Sequence, residues 1–201
     1  FKLVDGHTYR GLANDFIGSK RVEAKQCWID FFQYHTSQEF YNEVLTIFNE
    51  TRWIKDEKVK VRHTEGDAKI VTDTQFVIHQ PTTGTTRSTH IDNPLEIYAG
   101  LLYMRQRGDN AKGGDFVIYD APEINKVVAK TGREIPKDIE KKEHKKITYK
   151  ENTFVMFLNT NKSVHGVTPR ENALHDRLSI NIIAEAEKKL GPLFKLNEIV
   201  Q

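Results

Sequence analysis

The chain has 201 residues, of which 38% are hydrophobic and 29% charged, as in a soluble globular protein and unlike a disordered or fibrous one. A net charge of +2 gives no indication of a nucleic-acid or membrane partner, and no apolar run approaches the roughly 20 residues that span a bilayer. The single cysteine, Cys27, cannot form an internal disulfide, so we expect a buried structural thiol in a reducing, cytoplasmic setting.

The first third of the chain predicts helices. Residues 22–34 predict a short helix, and a second should begin at a capping box, in which Thr36 accepts from the first helical amides and Glu39 reaches back. Apolar residues then recur at helical spacing, which predicts one buried face that continues to about Trp53. They are Phe40, Val44, Leu45 and Phe48.

Beyond Asp67 the pattern changes to short apolar segments bounded by Gly, Pro, Asn and Asp. The predicted strands cover residues 70–79, 95–104, 115–119, 153–158 and 178–184. Strands of this length favour an antiparallel sandwich or barrel. Because the helices come first, we predict a mainly β fold with N-terminal helices, a double-stranded β-helix (jelly roll) with the helices packed on one face.

The whole length fits one domain, since no linker, repeat or low-complexity segment divides it. We predict a helical N-terminal support over residues 1–66, a β-helix core over 67–186 and a C-terminal tail over 187–201. The lysine-rich segment 136–150 carries charges of both signs, which favours a solvated face or an excursion between strands over a binding role.

His90 and Asp92 are spaced for joint metal binding. Residues i and i+2 of a strand face the same side, so both side chains can contact one ion while Ile91 packs away from it. His165, which follows the apolar segment 153–158 and a polar turn, is the candidate third ligand. Two imidazoles and one carboxylate can occupy one face of an octahedral iron(II) ion and leave the other face open.

Two similar pairs are weaker candidates. His63 and Glu65 have the same alternation, but they lie in a charged stretch without an apolar strand around them. His175 and Asp176 are adjacent, so on a strand they would point to opposite sides.

Arg177 and Ser179 begin the last predicted strand with both side chains on one face. A guanidinium offers a planar fork to a carboxylate, and a hydroxyl can add a further hydrogen bond, so the pair can hold the far end of a dicarboxylate. The competing interpretation of Arg177 is a surface ion pair with Glu171 or Asp176.

Taken together, these residues resemble the iron(II)- and 2-oxoglutarate-dependent oxygenase superfamily. The joint pattern is His90-x-Asp92, His165 and Arg177-x-Ser179. Further segments are similar to the prolyl-hydroxylase-like branch of that superfamily: His90-Ile91-Asp92-Asn93-Pro94, Leu101-Leu102-Tyr103-Met104, Gly113-Gly114-Asp115-Phe116 and Val164-His165-Gly166-Val167. The resemblance covers roughly residues 70–185.

The resemblance implies a role for each matching residue. His90, Asp92 and His165 would bind Fe(II), and Arg177 with Ser179 would bind the distal carboxylate of 2-oxoglutarate. Tyr103 stands where oxygen-sensing prolyl hydroxylases place a tyrosine on that carboxylate, although a core aromatic residue explains it equally well. The co-substrates would be 2-oxoglutarate and O2, with ascorbate as a reductant.

The expected reaction is hydroxylation of a C–H bond coupled to decarboxylation of 2-oxoglutarate to succinate and CO2. Related halogenases lack the carboxylate that Asp92 supplies here, which favours hydroxylation. Collagen-type prolyl hydroxylases present a lysine to 2-oxoglutarate where this chain has Arg177, so the substrate is open between a peptide or protein side chain, such as proline, and an amino acid or other small molecule. Two further alternatives are a nucleic-acid dealkylase and a non-catalytic metal-binding jelly-roll module. The oligomeric state stays open.

Overall fold

The computed structural model describes residues 2–5, 8–19, 21–50, 56–81, 87–122, 134–135 and 137–194. These residues form three α-helices: α1 (Ala13–Ile17), α2 (Gln26–His35) and α3 (Gln38–Ile47). They also form ten strands: β1 (Lys2–Asp5), β2 (Thr8–Leu12), β3 (Val59–Val61), β4 (Ile70–His79), β5 (Glu96–Tyr103), β6 (Phe116–Asp120), β7 (Lys142–Ile147), β8 (Thr153–Leu158), β9 (His165–Val167) and β10 (Arg177–Ala186). The predicted mainly β composition with few helices is therefore confirmed.

The strands form two sheets. The larger sheet has the order β1-β2-β4-β10-β5-β8, with β3 paired to β4, and the smaller sheet has the order β7-β6-β9. All pairs are antiparallel except β3 with β4. An isolated bridge between His90 and His165 adds a further position to the smaller sheet beside β9.

The central strands of the larger sheet bury both of their faces. On one face, α3 packs its apolar stripe against side chains of β4, β5 and β10. The buried residues of this core are Phe40, Tyr41, Val44, Leu45, Ile70, Ile97, Tyr98, Ile180, Ile182 and Ala184. The alternate side chains of β5 and β10 face the other way, into a cavity between the two sheets.

The start of α3 differs from the predicted capping box. Ser37 is the N-cap, and its hydroxyl accepts a hydrogen bond from the Phe40 amide at 3.1 Å. Thr36 instead ends α2, where its hydroxyl donates to the Phe32 carbonyl at 2.7 Å. The two helices are separated by only Thr36 and Ser37, so each of these residues caps a different helix. Of the predicted continuation to about Trp53, residues 51–55 lie outside the described residues, and α3 itself ends at Ile47.

Cys27 is exposed, so the prediction of a buried thiol was wrong. The apolar side of α2 is formed by Trp28, Phe31 and Phe32, which pack against α1 and the sheet. Helical periodicity then turns Cys27 toward solvent, a consequence that the apolar neighbours of the cysteine concealed in the sequence.

The first 66 residues contain strands as well as the predicted helices. β2 pairs with β4 over five positions, so the larger sheet extends beyond the core predicted for residues 67–186. In the lysine-rich segment, β7 was not predicted as a strand, but it pairs with β6 as an exposed edge strand, in agreement with the predicted solvated face. Lysines on a sheet edge discourage further strand pairing, so high charge is compatible with this position. Pro136 lies outside the described residues.

In the described part of the chain, no helix combines the length and apolar character needed to cross a bilayer.

Candidate metal centre

Backbone pairing brings His90 and His165 together. The His90 amide donates to the His165 carbonyl at 2.8 Å, and the His165 amide donates to the His90 carbonyl at 3.0 Å. Asp92 lies on the same side of the chain as His90. Ile91, between His90 and Asp92, is 1% exposed and packs with Val164 and Ile135. The distance between the two histidines is therefore set by the main chain.

The three predicted metal-binding side chains converge. One ligand atom from each of His90, Asp92 and His165 lies within 4.8 Å of the other two. His90 Nε2 is 3.3 Å from Asp92 Oδ1, and His165 Nε2 is 3.4 Å from Asp92 Oδ2. Among the described residues, no other group of three or more His, Cys, Asp or Glu side chains has this arrangement, so the His63 and His175 pairs form no such site.

Both imidazoles are oriented with Nε2 toward the centre. His90 Nδ1 lies 2.7 Å from the Ser88 carbonyl, and His165 Nδ1 lies 2.8 Å from the Ser163 carbonyl. A carbonyl oxygen only accepts hydrogen bonds, so it favours the tautomer with the proton on Nδ1 and a lone pair on Nε2. This is the arrangement by which a neighbouring carbonyl orients a metal-binding histidine.

The ionisation states also suit metal binding. Burial lowers the pKa of His165 to about 4, so its imidazole is neutral near pH 7. Burial alone would raise the pKa of Asp92, but the positive charge that His165 and His90 carry when protonated holds it down at about 2. A metal ion requires a neutral imidazole and an ionised carboxylate, and both are present at neutral pH.

The three ligand candidates lie on a cavity of about 320 Å³ between the sheets. Phe116 and Phe157 form an aromatic wall beside His165, with ring centroids 5.2 and 4.7 Å from the imidazole centroid. Arg87 also lines the cavity; its Nε donates to His90 Nε2 at 3.2 Å, and its Nη2 is 3.5 Å from Glu134. The cavity thus combines an apolar wall with a few polar groups, as small-molecule sites usually do.

Arg177 reaches the same cavity from the first position of β10. It is 2% exposed, and its Nε donates to the Gly114 carbonyl at 3.2 Å. Its guanidinium carbon lies 4.9 Å from the ring centroids of both Tyr103 and Tyr149. Arg177 is therefore buried and is not a surface ion-pair residue with Glu171 or Asp176.

Two buried polar atoms at this end of the cavity make no hydrogen bond of normal geometry: Arg177 Nη2 and Tyr103 Oη. Burial raises the pKa of Tyr103 to about 12, so its hydroxyl keeps its proton and can donate. Ser179, which pairs with Tyr103 across β10 and β5, donates weakly to Asn181 Oδ1 at 3.5 Å. Unsatisfied donors are costly when buried, and a bound carboxylate would satisfy them.

Sequence reasoning missed Tyr149 and the polar cluster around it. Arg105 and Arg170 also lie over the Tyr149 ring, with guanidinium carbons 5.6 and 5.8 Å from its centroid. Asp109, fully buried, accepts from Arg170 at 2.8 Å and lies 3.5 Å from Arg105. These residues come from three loops, and only Arg105 and Asp109 share one, so no local spacing marks the cluster as one group.

Comparison with known proteins agrees with this geometry. A model of the 2OG-Fe(II) oxygenase superfamily matches residues 73–184, more than half of the chain. No curated protein matches the chain in sequence.

Several solved structures are similar to the chain. Three of them are a prolyl 4-hydroxylase from Phytophthora capsici (14% identity, TM-score 0.49, covering 89% of this chain and 48% of that one), IDO from Bacillus thuringiensis (17%, 0.46, 75% and 60%) and a bsmA homolog from Methylobium petroleophilum PM1 (12%, 0.35, 57% and 40%). The chain thus spans between 40% and 60% of the length of these proteins. On the strength of the superfamily match, the chain belongs to the 2OG-Fe(II) oxygenase superfamily.

Proposed function

We propose that this protein is an Fe(II)- and 2-oxoglutarate-dependent dioxygenase that hydroxylates a C–H bond and converts 2-oxoglutarate to succinate and CO2. The observation that carries the proposal is the convergence of His90, Asp92 and His165 on one cavity that also contains the buried Arg177. Each part alone occurs in many proteins, whereas a metal-ligand set beside an unsatisfied buried guanidinium suits a metal and a carboxylate ligand together.

The proposal includes the double-stranded β-helix as the architecture. Its support is the way the chain moves between the sheets: β4 and β5 belong to the larger sheet, and the His90 bridge between them belongs to the smaller one. After β6 and β7 in the smaller sheet, β8, β9 and β10 alternate again. Residues of both sheets line the cavity into which the ligand candidates project, which supports this architecture.

The residues present fit an iron(II) ion. His90 and His165 would bind through Nε2, since the Ser88 and Ser163 carbonyls hold Nδ1, and Asp92 would bind through a carboxylate oxygen. Bound iron supplies the oxygen chemistry, while the protein provides position and a water-poor cavity. Phe116 and Phe157 contribute the apolar part of that enclosure.

Arg177 would bind the distal carboxylate of 2-oxoglutarate, with Ser179 and Tyr103 as further donors. A charge-assisted hydrogen bond contributes about 1.5–3 kcal/mol net, which corresponds to roughly a 10- to 100-fold preference for a dicarboxylate over a neutral ligand. Arg177 is suited to this role because its Nη2 is unsatisfied while its Nε is already bonded to Gly114.

For the substrate, we propose a peptide or protein side chain such as proline, with an amino acid or other small molecule as the alternative. The support is the resemblance of the segments around His90 and Gly113 to the prolyl-hydroxylase-like branch. Ascorbate is proposed as the reductant on the same ground.

The proposal is tested by anaerobic titration of metal-free protein with iron(II) and then 2-oxoglutarate, following the visible charge-transfer band of the chelated oxo-acid. We expect a saturable band in the wild type, no band in His165→Ala or Asp92→Ala, and an unchanged band in His144→Ala, which removes an exposed histidine of β7. Arg177→Ala should keep iron binding but weaken 2-oxoglutarate binding roughly 10- to 100-fold.

A folded wild-type protein that gives no band would contradict the proposal and favour a binding module. A positive band permits the substrate test, in which succinate release is measured with proline-containing peptides, free amino acids and single-stranded DNA. Stimulation by DNA alone would replace the hydroxylase assignment by that of a dealkylase.

A further inference from the structure

Three arginines surround one buried tyrosine, Tyr149, beside the cavity residue Arg177. The Tyr149 ring is 0% exposed and lies 4.9 Å from the guanidinium carbon of Arg177, 5.6 Å from that of Arg105 and 5.8 Å from that of Arg170. Tyr103 meets the same ring edge to face, with centroids 5.3 Å apart. Tyr149 therefore contacts one arginine that lines the cavity, Arg177, and two that are not part of its lining, Arg105 and Arg170.

Both ends of Tyr149 are fixed. Its amide donates to Asp115 Oδ1 at 2.8 Å, and its carbonyl accepts from Arg105 Nη1 at 3.0 Å. Its hydroxyl accepts from the Leu178 amide at 2.9 Å and lies 3.3 Å from the Leu178 carbonyl, to which it can donate. The ring is thus tied to the main chain of the residue directly after Arg177.

The three arginines around the Tyr149 ring differ in whether a carboxylate neutralises their charge. Arg170 and Arg105 share the buried carboxylate of Asp109. Arg177 has no carboxylate partner among the described residues, and burial together with the Arg170 charge lowers the pKa of its guanidinium. The faces of Tyr103 and Tyr149 are the groups that offset its charge, since an aromatic face attracts a cation.

We propose that Tyr149 is a positioning residue that holds the Arg177 guanidinium in the orientation needed for the distal carboxylate of the oxo-acid. This inference rests on the proposed function, because Arg177 must be the carboxylate-binding residue. A guanidinium that is already oriented loses less conformational freedom when the ligand binds. Tyr149 thereby strengthens selection for a dicarboxylic oxo-acid without touching it.

The test compares two oxo-acids that chelate iron in the same way. 2-Oxoglutarate has the distal carboxylate and 2-oxobutyrate lacks it, so the ratio of their dissociation constants reports on the distal contact alone. Both constants are measured anaerobically on the iron(II)-loaded protein by the charge-transfer band. Tyr149→Leu should reduce the preference for 2-oxoglutarate roughly tenfold and leave 2-oxobutyrate binding within about threefold of the wild type.

Tyr149→Phe keeps the ring and removes only the hydroxyl bonds to Leu178, so it should retain most of the preference. Tyr98→Leu is the matched control. Tyr98 is as buried as Tyr149, but it lies on the face of β5 that packs against α3. Tyr98→Leu should leave the ratio unchanged. If Tyr149→Leu does not fold, Tyr149→Met fills the space without an aromatic face and should give the same loss of preference.

The outcomes separate this inference from the proposed function. An unchanged ratio in Arg177→Ala would overturn the assignment of Arg177, and the inference with it. A reduced ratio in Arg177→Ala but an unchanged one in Tyr149→Leu or Tyr149→Met would overturn the inference alone. Equal weakening of both oxo-acids in the Tyr149 variants would also overturn it, because general damage to the site does not distinguish the ligands.

Discussion

Gly113 and Gly114 place the carbonyl that Arg177 Nε contacts. Both have positive φ angles, of 73° and 80°, which residues with a side chain rarely adopt. A Cβ atom on Gly113 would lie 1.8 Å from the Pro169 carbonyl oxygen, and that atom belongs to the backbone. The two glycines thus serve both the turn and its close contact with residues 169–170.

We expect Gly113→Ala to destabilise the protein by about 3 kcal/mol, because backbone strain and the collision with Pro169 act together. The measurement is the free energy of unfolding in urea. Gly66→Ala is the control: its φ is 97° but no atom lies within 4 Å of the added Cβ, so the cost should be about 1 kcal/mol. Equal costs at the two positions would contradict the role given to Pro169.

At this scale, the sequence allowed prediction of side chains whose geometry follows from strand periodicity. His90 and Asp92 share a side and Ile91 points away from it, as predicted, although only His90 makes a β-bridge there and no strand covers residues 91 and 92. Tyr149 could not be predicted, because its neighbours are set by tertiary contacts between distant loops. The side of α2 on which Cys27 lies was mispredicted because the apolar residues next to it were taken as its surroundings.

Helix and strand boundaries show the limit of local patterns at the level of elements. The apolar face of α3 was predicted correctly, since 3.6-residue periodicity is independent of the exact start. The N-cap residue of α3 was not predicted correctly. Thr36 and Ser37 are both good N-caps, and only the position at which α2 ends decides between them. β7 was missed for a different reason: an edge strand exposed to solvent has no apolar signal.

Ser37→Ala should destabilise the protein by about 1 kcal/mol, because the Phe40 amide at the first turn of α3 loses its acceptor. Ser37→Asp should retain the stability, since a carboxylate also accepts this bond and interacts favourably with the helix N-terminus. Thermal and urea unfolding measure both variants. A Ser37→Ala protein as stable as the wild type would show that the Ser37 cap contributes nothing.

An ion-pair cluster joins the N-terminal part of the molecule to the sheet. Arg62, just after β3, contacts Asp73 of β4 at 3.0 Å and Glu185 of β10 at 2.6 Å. Asp73 is fully buried and also accepts from the Ala13 amide at the start of α1. Burial opposes the charge on Arg62, but Glu185 and Asp73 outweigh it and raise the pKa of the guanidinium.

We expect Arg62→Met to destabilise the protein by about 3 kcal/mol, because it leaves the buried Asp73 carboxylate without its cation. Lys69→Met is the control: its ion pair with Glu57 is more exposed and should contribute less than about 0.5 kcal/mol. Urea unfolding at neutral pH compares the two. A similar small loss in both variants would show that Asp73 is stabilised by its hydrogen bonds alone.

At the scale of the whole molecule, the mainly β composition was predictable because strands and helices have different periodicities. The addition of β2 to the sheet was not predictable, since a five-residue segment next to helices is too short to show the alternation of a strand. The partition of strands between the two sheets likewise depends on long-range pairing that no local segment contains.

The mutual hydrogen bonds between the main chains of His90 and His165 also bear on how this centre could be altered. Because the spacing belongs to the backbone, either imidazole could be exchanged for a thiolate or a carboxylate without moving the strands. A proline at either position is the exception, because it has no amide hydrogen to donate to the carbonyl of the other residue. The choice of metal is thus separable from the fold, since ligand softness and geometry select among ions. Such a framework is a suitable starting point for redesigning metal preference.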